Sequence, residues 1–498
     1  MPLRSHSLID RLDELARSRP QSPAFIQGDR TLRFGEFAHR VRRLVSGLNQ
    51  LGLNPGARVA VLLDNSLETV LTYGACLQAG LITVGLNTRT SAEEMSRVLE
   101  KTTPQALVFQ SDYQKQAQVL KPQVKHWIST DSVPESLSLN ALEAEVGTLK
   151  EVNPEAGCAI IPTAAVGGEP KGALLSQQNL MASCQMHLMH FGPESVRGHL
   201  GIMPLFHVMG MTSLWATFVC GGTTVLLPQF DPQASVAAID EHQLTYFGSF
   251  PPILGRVLDA ATEASSTLPS LRVVYGLEGP DNIRRLEEQT AARFWGGFGQ
   301  AETCAFVTAA PASERPGSSG RASFLNAVAV VNEADELLPP GGAGEIVVQG
   351  ENVMLEYWGH EEATAHVFRN GWHHTGDIGR FDDEGYLFYI KRKAEKELIK
   401  TGGENVYPGE VEAVLKKHPD LVEACVIGVP DSNWGESVKA ICVLREGASL
   451  DAEGVRGFVG QHIAGFKRPR LVEFVEALPE RDGEVDRDAV KAQYGHAA

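Results

Sequence analysis

The sequence has few cysteines and none of the patterns that hold zinc or build a disulfide framework. Seven cysteines are scattered over 498 residues, and no two form a Cys-x-x-Cys pair, so we expect buried free thiols in a reducing compartment. The chain also lacks an apolar run long enough to span a bilayer, and its N-terminus lacks the apolar core of a signal peptide. The sequence therefore predicts a cytoplasmic protein without membrane insertion.

An excess of positive charge is missing as well. The formal net charge is -17, which argues against broad binding to nucleic acid or to anionic membranes. Hydrophobic residues make up 43% of the chain and charged residues 21%, which is typical of a globular protein. An anionic ligand would therefore need local basic side chains and clustered backbone N–H groups.

The length of the chain and its alternating pattern predict the fold. A chain of 498 residues exceeds one ordinary core, so at least two domains are expected. Short apolar runs such as RVAVLLDNS (58–66) alternate with helical stretches such as Leu67–Ala79, which predicts parallel sheets covered by helices. From about Gly344 a smaller β-layer is expected. The predicted fold class is α/β, with a large N-terminal domain (1–392) and a small α+β C-terminal domain (393–498).

A glycine-rich segment follows the apolar run CAIIP. Its sequence is TAAVGGEPKGALLS, from Thr163 to Ser176. Clustered backbone N–H groups and the ammonium of Lys171 suit a polyphosphate, although the spacing differs from that of a Walker A loop. Taken alone, such a segment is more often an ordinary turn that binds nothing.

Later motifs add a carboxylate, an aromatic ring and an acidic–basic pair. The segment FWGGFGQAETCAF (294–306) contains Glu302, whose carboxylate suits Mg²⁺, and Phe298, which can stack on a purine. Asp377, in a Thr-Gly-Asp turn, can accept two ribose hydroxyls, and Arg392 beyond it offers a fixed fork of donors. Taken alone, Glu302 is equally typical of an ordinary carboxylate at a helix start. A Thr-Gly-Asp triplet, taken alone, is a common turn.

In this order, and over essentially the whole chain, the motifs resemble those of the adenylate-forming acyl-CoA synthetases. The resemblance implies that ATP and a carboxylic acid give acyl-AMP and pyrophosphate, after which the thiol of coenzyme A (CoA) displaces AMP. It also implies that the small domain is mobile, because the family changes pose between the two half-reactions. The hinge is expected within 393–396, inside the charged stretch KAEKELIK (393–400), which we predict to be a connector.

The resemblance assigns a role to each matching residue. The implied catalytic residues are Lys171, Glu302, Arg392 and Lys400, and Glu302 is also the implied Mg²⁺ ligand. The implied nucleotide-binding residues are Thr163, Gly167, Gly168, Gly276, Leu277, Glu278, Phe298, Gly299, Gln300, Asp377 and Arg392. The implied acyl-binding residues are His207, Gly276 and Phe250, and the implied CoA-binding residues are Gly402, Gly403, Phe466 and Lys467. Without the resemblance, a lone histidine in an apolar run is more often a core residue, and the basic run FKRPR (466–470) reads equally well as a solvated loop.

The sequence departs from the family pattern in its phosphate loop and near its C-terminus. Residues 164–167 do not match the pattern Thr-Ser-Gly-Thr-Thr-Gly, so hydroxyls that would contact phosphate are lost. Glu484 stands where the family has a lysine that contacts the reacting carboxylate and the α-phosphate, and a carboxylate there would repel the developing charge. The candidates to supply the missing cation are Lys400, Lys396, Arg481 and Arg487. Of these we favour Lys400.

The predicted function is an ATP-dependent acid–CoA ligase, typical of fatty acid metabolism. The expected pocket segments (207–211, 247–253 and 275–279) contain no lysine or arginine that would pair a second carboxylate. That favours a hydrophobic monocarboxylic acid, whether fatty, aryl or alicyclic. Two alternatives stay open: an acyl-AMP ligase that loads a carrier protein, and a nucleotide- or acyl-binding homologue with impaired catalysis. A homodimer is also left open.

Overall fold

The computed structural model describes residues 7–163, 171–392, 398–402, 404–431, 433–481 and 484–496. Its first sheet combines parallel strands with antiparallel edges. The strands are β1 Pro23–Gln27, β2 Arg30–Arg33, β10 Gly198–Gly201, β11 Thr223–Leu226, β12 Tyr246–Ser249, β13 Val273–Gly276, β14 Arg293–Gln300, β15 Ala305–Pro311 and β16 Arg321–Ala322. Their spatial order is β16-β15-β14-β13-β12-β10-β11-β1-β2. Because β10 to β14 pair in parallel, their carboxyl ends meet at one edge of the sheet.

The second sheet has the same mixed character. Its strands are β3 Arg58–Leu62, β4 Ile82–Gly85, β5 Ala106–Phe109, β6 His126–Ser129, β7 Leu137–Ser138, β8 Gly157–Thr163, β9 Lys171–Ser176 and β19 Glu356–Tyr357. Their spatial order is β19-β9-β8-β4-β3-β5-β6-β7. The segment with the implied phosphate loop connects β8 to β9, and its residues 164–170 lie outside the described residues.

Helices cover both large sheets. They are α1 Leu8–Ser18, α2 Phe34–Gln50, α3 Leu67–Ala79, α4 Ala92–Thr102, α5 Gln114–Leu120, α6 Gln177–Phe191, α7 Pro193–Val196, α8 Val208–Val219, α9 Pro232–His242, α10 Ile253–Glu263, α11 Pro280–Gln289 and α12 Glu361–Val367. Helix α3 shows how the sequence sets these bounds. The Ser66 hydroxyl accepts from the Thr69 N–H at its start, and Gly80 ends it with φ of 67°, a left-handed conformation that favours glycine.

A smaller β-layer begins after β16 of the first sheet in sequence. It consists of β17 Asn326–Val331, β18 Gly344–Gly350, β20 Phe368–Arg369, β21 Trp372–Phe381 and β22 Leu387–Arg392. Strands β21 and β22 pair in antiparallel fashion, with Asp377 opposite Arg392. This pairing brings together the acidic–basic pair that the sequence analysis singled out.

The small domain has its own sheet and helices. The strands are β23 Ile399–Thr401, β24 Glu404–Val406, β25 Leu421–Asp431, β26 Gly435–Leu444 and β27 Leu471–Val475, followed by a short hairpin of β28 Glu480–Arg481 and β29 Glu484–Val485. The helices are α13 Pro408–Leu415, α14 Ala452–His462 and α15 Arg487–Tyr494. A separate apolar core lies between this sheet and helices α13 and α14.

The predicted fold class is confirmed: a large α/β domain with a β-layer precedes a small α+β unit. The boundary at Arg392 stays a prediction, supported by the change of sheet from β22 to β23. The prediction of a connector over 393–400 is wrong at its end, since Ile399 and Lys400 lie in β23. Ile399 and Thr401 are buried there while Lys400 is not, a period of two that the charges of the stretch concealed. The expected hinge, 393–396, lies outside the described residues.

Two predictions about the whole chain concern membranes and thiols. Among the described residues, none of the helices combines the length and the hydrophobicity that crossing a bilayer requires. None of the seven cysteines, all of which lie in the described part of the chain, forms a disulfide, and six of them are buried, as the scattered pattern predicted.

Candidate active site

A cavity of about 210 Å³ lies where the carboxyl ends of the strands meet the small domain. We call it the first cavity. Thr163 ends β8, Gln300 ends β14 and Phe250 follows β12, and all three line it. Its other lining residues include Lys171, His207, Met209, Leu277, Glu302, Phe306, Tyr357, Arg392, Lys400, Asn405, Tyr407 and Trp434. Open sheets with parallel strands place ligands at this edge.

Three cations face the first cavity. Lys171 comes from β9, Arg392 from β22 and Lys400 from β23, so the large and small domains both contribute. The protein atoms that surround the ammonium of Lys400 lower its pKa, although the residue as a whole remains open to solvent, and the neighbouring charge of Arg392 lowers it further. A protein with a net charge of -17 thus concentrates positive charge in one place, which is what a polyphosphate requires.

Glu302 faces the same cavity. Its carboxylate Oε1 accepts a hydrogen bond from the Tyr357 hydroxyl at 2.6 Å, and its backbone carbonyl accepts from the Met354 N–H at 2.8 Å. A carboxylate oxygen is the kind of hard ligand that Mg²⁺ prefers, and Glu302 lines the same cavity as Lys171. The structure therefore fits the metal role that the sequence implied, and it adds Tyr357, which the sequence analysis missed.

Asp377 is held by two of the residues that line the cavity. Arg392 Nε lies 2.9 Å from one carboxylate oxygen of Asp377, and Gln300 Nε2 donates to the other at 2.5 Å. Burial opposes the charge of Arg392, but Asp377 and the surrounding tyrosines outweigh it and raise the pKa of Arg392. Asp377 is only 1% exposed, so in this pose it lies behind Arg392 and Gln300. Its role as the ribose acceptor stays a prediction.

His207 lies between the first cavity and a second one. Its Nδ1 accepts from the Met209 N–H at the start of α8, so its other nitrogen carries the proton. Burial lowers the pKa of His207, which keeps the ring neutral. His207 thus forms part of the wall between the two cavities. Its neutral ring is not suited to act as an acid.

The second cavity has a volume of about 310 Å³ and lies between the two domains. Residues that line it include Asn87, Glu94, Arg97, His207, Glu404, Asn405, Glu410, Lys417, His462, Phe466 and Lys467. Because His207 and Asn405 also line the first cavity, the two chambers adjoin. The basic run FKRPR therefore contributes two residues, Phe466 and Lys467, to a cavity wall.

Lys467 is buried rather than solvated, with 7% of its surface exposed. Its ammonium lies 2.6 Å from a carboxylate oxygen of Glu94 in α4 and 2.6 Å from one of Glu410 in α13. Glu410 belongs to the small domain, as Lys467 does, whereas the pair with Glu94 joins the small domain to the large one. The assignment of Lys467 to CoA phosphate stays a prediction, against which these two carboxylates compete.

The Gly-Gly-Glu-Asn segment reaches the first cavity from the small domain. Gly402 has φ of 58°, and a Cβ there would lie 2.7 Å from the Trp434 ring, so only glycine fits without displacement. Glu404 pairs with Arg89 at 2.6 Å and accepts from Asn87 at 3.0 Å, which docks β24 on the large domain. Gly403 lies outside the described residues, as do Gly167 and Gly168.

Some of the implied nucleotide-binding residues line the first cavity and others contact their neighbours instead. Leu277 lines the cavity, whereas the Glu278 carboxylate accepts a hydrogen bond from the Gly279 N–H at 2.9 Å. Gly276 has φ of 137°, and a Cβ there would lie 2.1 Å from the Ser249 carbonyl oxygen, so β12 and β13 approach closely at the cavity. Phe298 packs in an apolar cluster with Ile346, Val348 and Leu387, among others. Gly299 lines the first cavity beside it, and the purine-stacking role of Phe298 stays a prediction.

The structure distinguishes the candidates for the cation missing at position 484 by their partners and by whether they line the first cavity. Arg487 pairs with Glu412 at 2.6 Å and Arg481 pairs with Asp486 at 2.6 Å, both within the small domain. Lys396 lies outside the described residues. Of the candidates that the described residues include, Lys400 is the one that lines the first cavity.

Comparison with known proteins gives matches along nearly the whole chain. The family model of the AMP-binding enzymes matches residues 12–358, and that of the AMP-binding enzyme C-terminal domain matches residues 410–482. A feruloyl-CoA synthase from Amycolatopsis is 35% identical, with 96% of this chain and 97% of the relative covered. An indoleacetate–CoA ligase from Aromatoleum aromaticum is 33% identical, with 97% of each covered. The solved structure of the amide bond synthetase McbA from Marinactinospora thermotolerans is 29% identical, with a TM-score of 0.90 over 99% of this chain and 100% of that one.

Proposed function

The chain belongs to the family of AMP-binding enzymes, and we propose that its first cavity joins a hydrophobic monocarboxylic acid to CoA by way of an acyl-AMP. It is an AMP-forming acid–CoA ligase. The observation that carries the proposal is the convergence of Lys171, Arg392 and Lys400 with the Glu302 carboxylate around one cavity. Two anionic reagents, ATP and the acid, must meet there, and cations from three different strands oppose their repulsion.

In the first half-reaction the carboxylate oxygen of the acid attacks the α-phosphorus of ATP. The bond to the bridging oxygen breaks, pyrophosphate leaves with that electron pair, and acyl-AMP remains. Lys171 lies at the start of the strand after the phosphate loop, and we assign it to the phosphates together with Arg392. Mg²⁺, when bound at Glu302, would neutralise the charge of the triphosphate.

In the second half-reaction the thiolate of CoA attacks the carbonyl carbon of acyl-AMP, and AMP leaves as the anion. We assign the present pose to this step, because Asn405 and Lys400 from the small domain line the first cavity. The second cavity adjoins it at His207 and offers a path for the thiol. Phe466 in its wall is suited to contact the nucleotide of CoA.

The acid is proposed to be compact and apolar. Met209, Phe250, Leu277 and Phe306 form the apolar part of the first cavity, and none of them pairs a second carboxylate. A cavity of about 210 Å³ must also admit part of the nucleotide, which favours an aryl or alicyclic acid, or a short fatty acid, over a long chain.

A screen of acids tests this function. The protein is incubated with ATP, Mg²⁺ and CoA and with benzoate, cinnamate, ferulate, indoleacetate, cyclohexanecarboxylate, octanoate or palmitate, and the CoA thioesters are measured by mass spectrometry. We expect at least one ring-bearing acid to exceed palmitate about 10-fold or more in kcat/KM. Pyrophosphate release without any thioester would favour a ligase that loads a carrier protein. The absence of both across the panel would contradict the proposal and favour a binding protein.

The oligomeric state and the cellular location need separate measurements. Sedimentation at micromolar concentration tests whether the protein forms a homodimer. The cytoplasmic location is tested by fractionating the cells that make the protein.

A further inference from the structure

The segment 354–358 ties together two motifs that lie far apart in the sequence. On one side, the Met354 N–H donates to the backbone carbonyl of Glu302 at 2.8 Å. On the other side, the N–H groups of Leu355 and Trp358 donate to the carbonyls of Leu174 and Gly172, both at 2.8 Å. The segment is therefore attached to the loop with Glu302 and to the strand with Lys171.

Tyr357 lies between these two attachments. It is paired with Ala173 in the antiparallel ladder of β19 and β9, two residues beyond Lys171 in β9. Its side chain is 3% exposed and lines the first cavity. A buried ring on a short paired strand has little freedom to move.

Both functional ends of the Tyr357 side chain are engaged. The hydroxyl donates to Glu302 Oε1 at 2.6 Å, a short hydrogen bond to a charged acceptor. The ammonium of Lys171 lies 5.1 Å from the centre of the same ring, within the range of a cation–π interaction. One side chain thus contacts the carboxylate and the cation that the proposed function uses.

We propose that Tyr357 is a positioning residue that orients the Glu302 carboxylate for a divalent cation while its ring holds Lys171 beside it. The inference rests on the proposed function, because it takes Glu302 as the metal ligand. With one oxygen of Glu302 held by the hydroxyl, the carboxylate is restrained in one orientation at the cavity that it lines. Partners of this kind around metal ligands change metal affinity by about 10- to 100-fold when removed.

The test is a metal-binding titration of the full chain, which needs no turnover. Mn²⁺ binding is followed by electron paramagnetic resonance in the presence of the non-reacting nucleotide α,β-methylene ATP. Tyr357→Phe keeps the ring beside Lys171 and removes only the hydroxyl. We expect the Kd of Mn²⁺ to rise about 10-fold or more, while metal-free AMP affinity changes less than about 2-fold.

The control is Tyr113→Phe, because the Tyr113 hydroxyl also donates to a carboxylate, that of Asp64, at 2.6 Å, but lies outside both cavities. It should leave Mn²⁺ binding unchanged. A double-mutant cycle adds a second readout: in a Glu302→Gln background, Tyr357→Phe should have no further effect on residual Mn²⁺ binding.

The outcomes separate this inference from the function on which it rests. If the wild type binds Mn²⁺ with the nucleotide and Tyr357→Phe stays within about 2-fold of it, the role of Tyr357 is overturned and the proposed function is untouched. An equal loss of AMP affinity and Mn²⁺ affinity would also overturn it, since that is the mark of a purely structural residue. If the wild type binds no Mn²⁺, the metal assignment of Glu302 falls, and the inference falls with it.

Discussion

Lys400 has a lowered pKa because of its position in the first cavity. The protein atoms around its ammonium lower the pKa, and the like charge of Arg392 lowers it further. Replacing Lys400 with methionine should slow at least one half-reaction by about 100-fold, because charge on the α-phosphate would lose its neighbouring cation. Single-turnover assays from ATP and acid, and separately from preformed acyl-AMP, measure the two steps.

Lys391→Met is the matched control, since Lys391 is exposed on β22, the strand that precedes β23 in the chain. The lowered pKa of Lys400 also predicts a pH dependence. The rate of the affected half-reaction should fall on the alkaline side at a lower pH than it would with a lysine of ordinary pKa. Lys400→Arg should remove that alkaline decline, because arginine stays charged. A normal single-turnover rate in Lys400→Met would exclude Lys400 from catalysis.

Buried histidines make the large domain sensitive to acid. Burial lowers the pKa of His187 to about 4 and that of His199 to about 3, against about 6.5 in the unfolded chain. Their folded pKa values are depressed, so the neutral rings stabilise the fold fully above pH 6.5. That stability is lost as the pH falls from 6.5 towards about 4 for His187 and about 3 for His199, and each site contributes on the order of 3 to 5 kcal/mol.

Urea unfolding at pH 7.5 and at pH 5 measures this loss. His187→Gln should reduce the difference in unfolding free energy between the two pH values, because glutamine does not titrate and can still donate to the Ser183 carbonyl that His187 contacts. His39→Gln, at an exposed site on α2, should leave the difference unchanged. An unchanged difference in His187→Gln would show that the acid sensitivity lies elsewhere.

At the scale of elements, helices α4 and α13 and the chain after α14 meet at Lys467. Its ammonium contacts Glu94 and Glu410, and the Ala464 N–H also donates to Glu94 at 3.0 Å. Lys467→Met would leave the buried carboxylate of Glu94 and the half-buried one of Glu410 close together without their cation, and would disfavour this pose of the domains. We expect thioester formation from preformed acyl-AMP to slow by about 10-fold or more, and adenylation to change by less than about 3-fold.

Lys416→Met is the control, because Lys416 is exposed just after α13. Equal slowing of both half-reactions in Lys467→Met would show that the contact stabilises the fold in general rather than this pose. A faster second half-reaction would contradict the assignment of the present pose to thioester formation.

At the scale of the whole molecule, residues in local motifs could be predicted and residues brought in by tertiary pairing could not. Lys171, Glu302 and Arg392 were found because their motifs are continuous in sequence, and all three line the first cavity. Tyr357 escaped because Ala173 reaches it by strand pairing and Glu302, 55 residues earlier in the chain, reaches it by a side-chain hydrogen bond.

The small domain gave a similar division. The sequence predicted an α+β unit there, and the observed strands and helices confirm that class. The sequence FKRPR is a basic run, yet Lys467 is buried because it pairs with Glu94. That partner lies 373 residues away in the chain. Charge runs read as solvated faces unless a distant partner is known, and no local pattern could reveal this one.

The most direct test of the account follows one turnover in time. The full chain is mixed with Mg²⁺, ATP and the best acid from the screen, and acyl-AMP and acyl-CoA are quantified by rapid quench before and after CoA is added. The account predicts that acyl-AMP accumulates without CoA and is converted to acyl-CoA and AMP when CoA arrives. An acyl-CoA product that forms without any acyl-AMP, or acyl-AMP that CoA leaves unchanged, would contradict it.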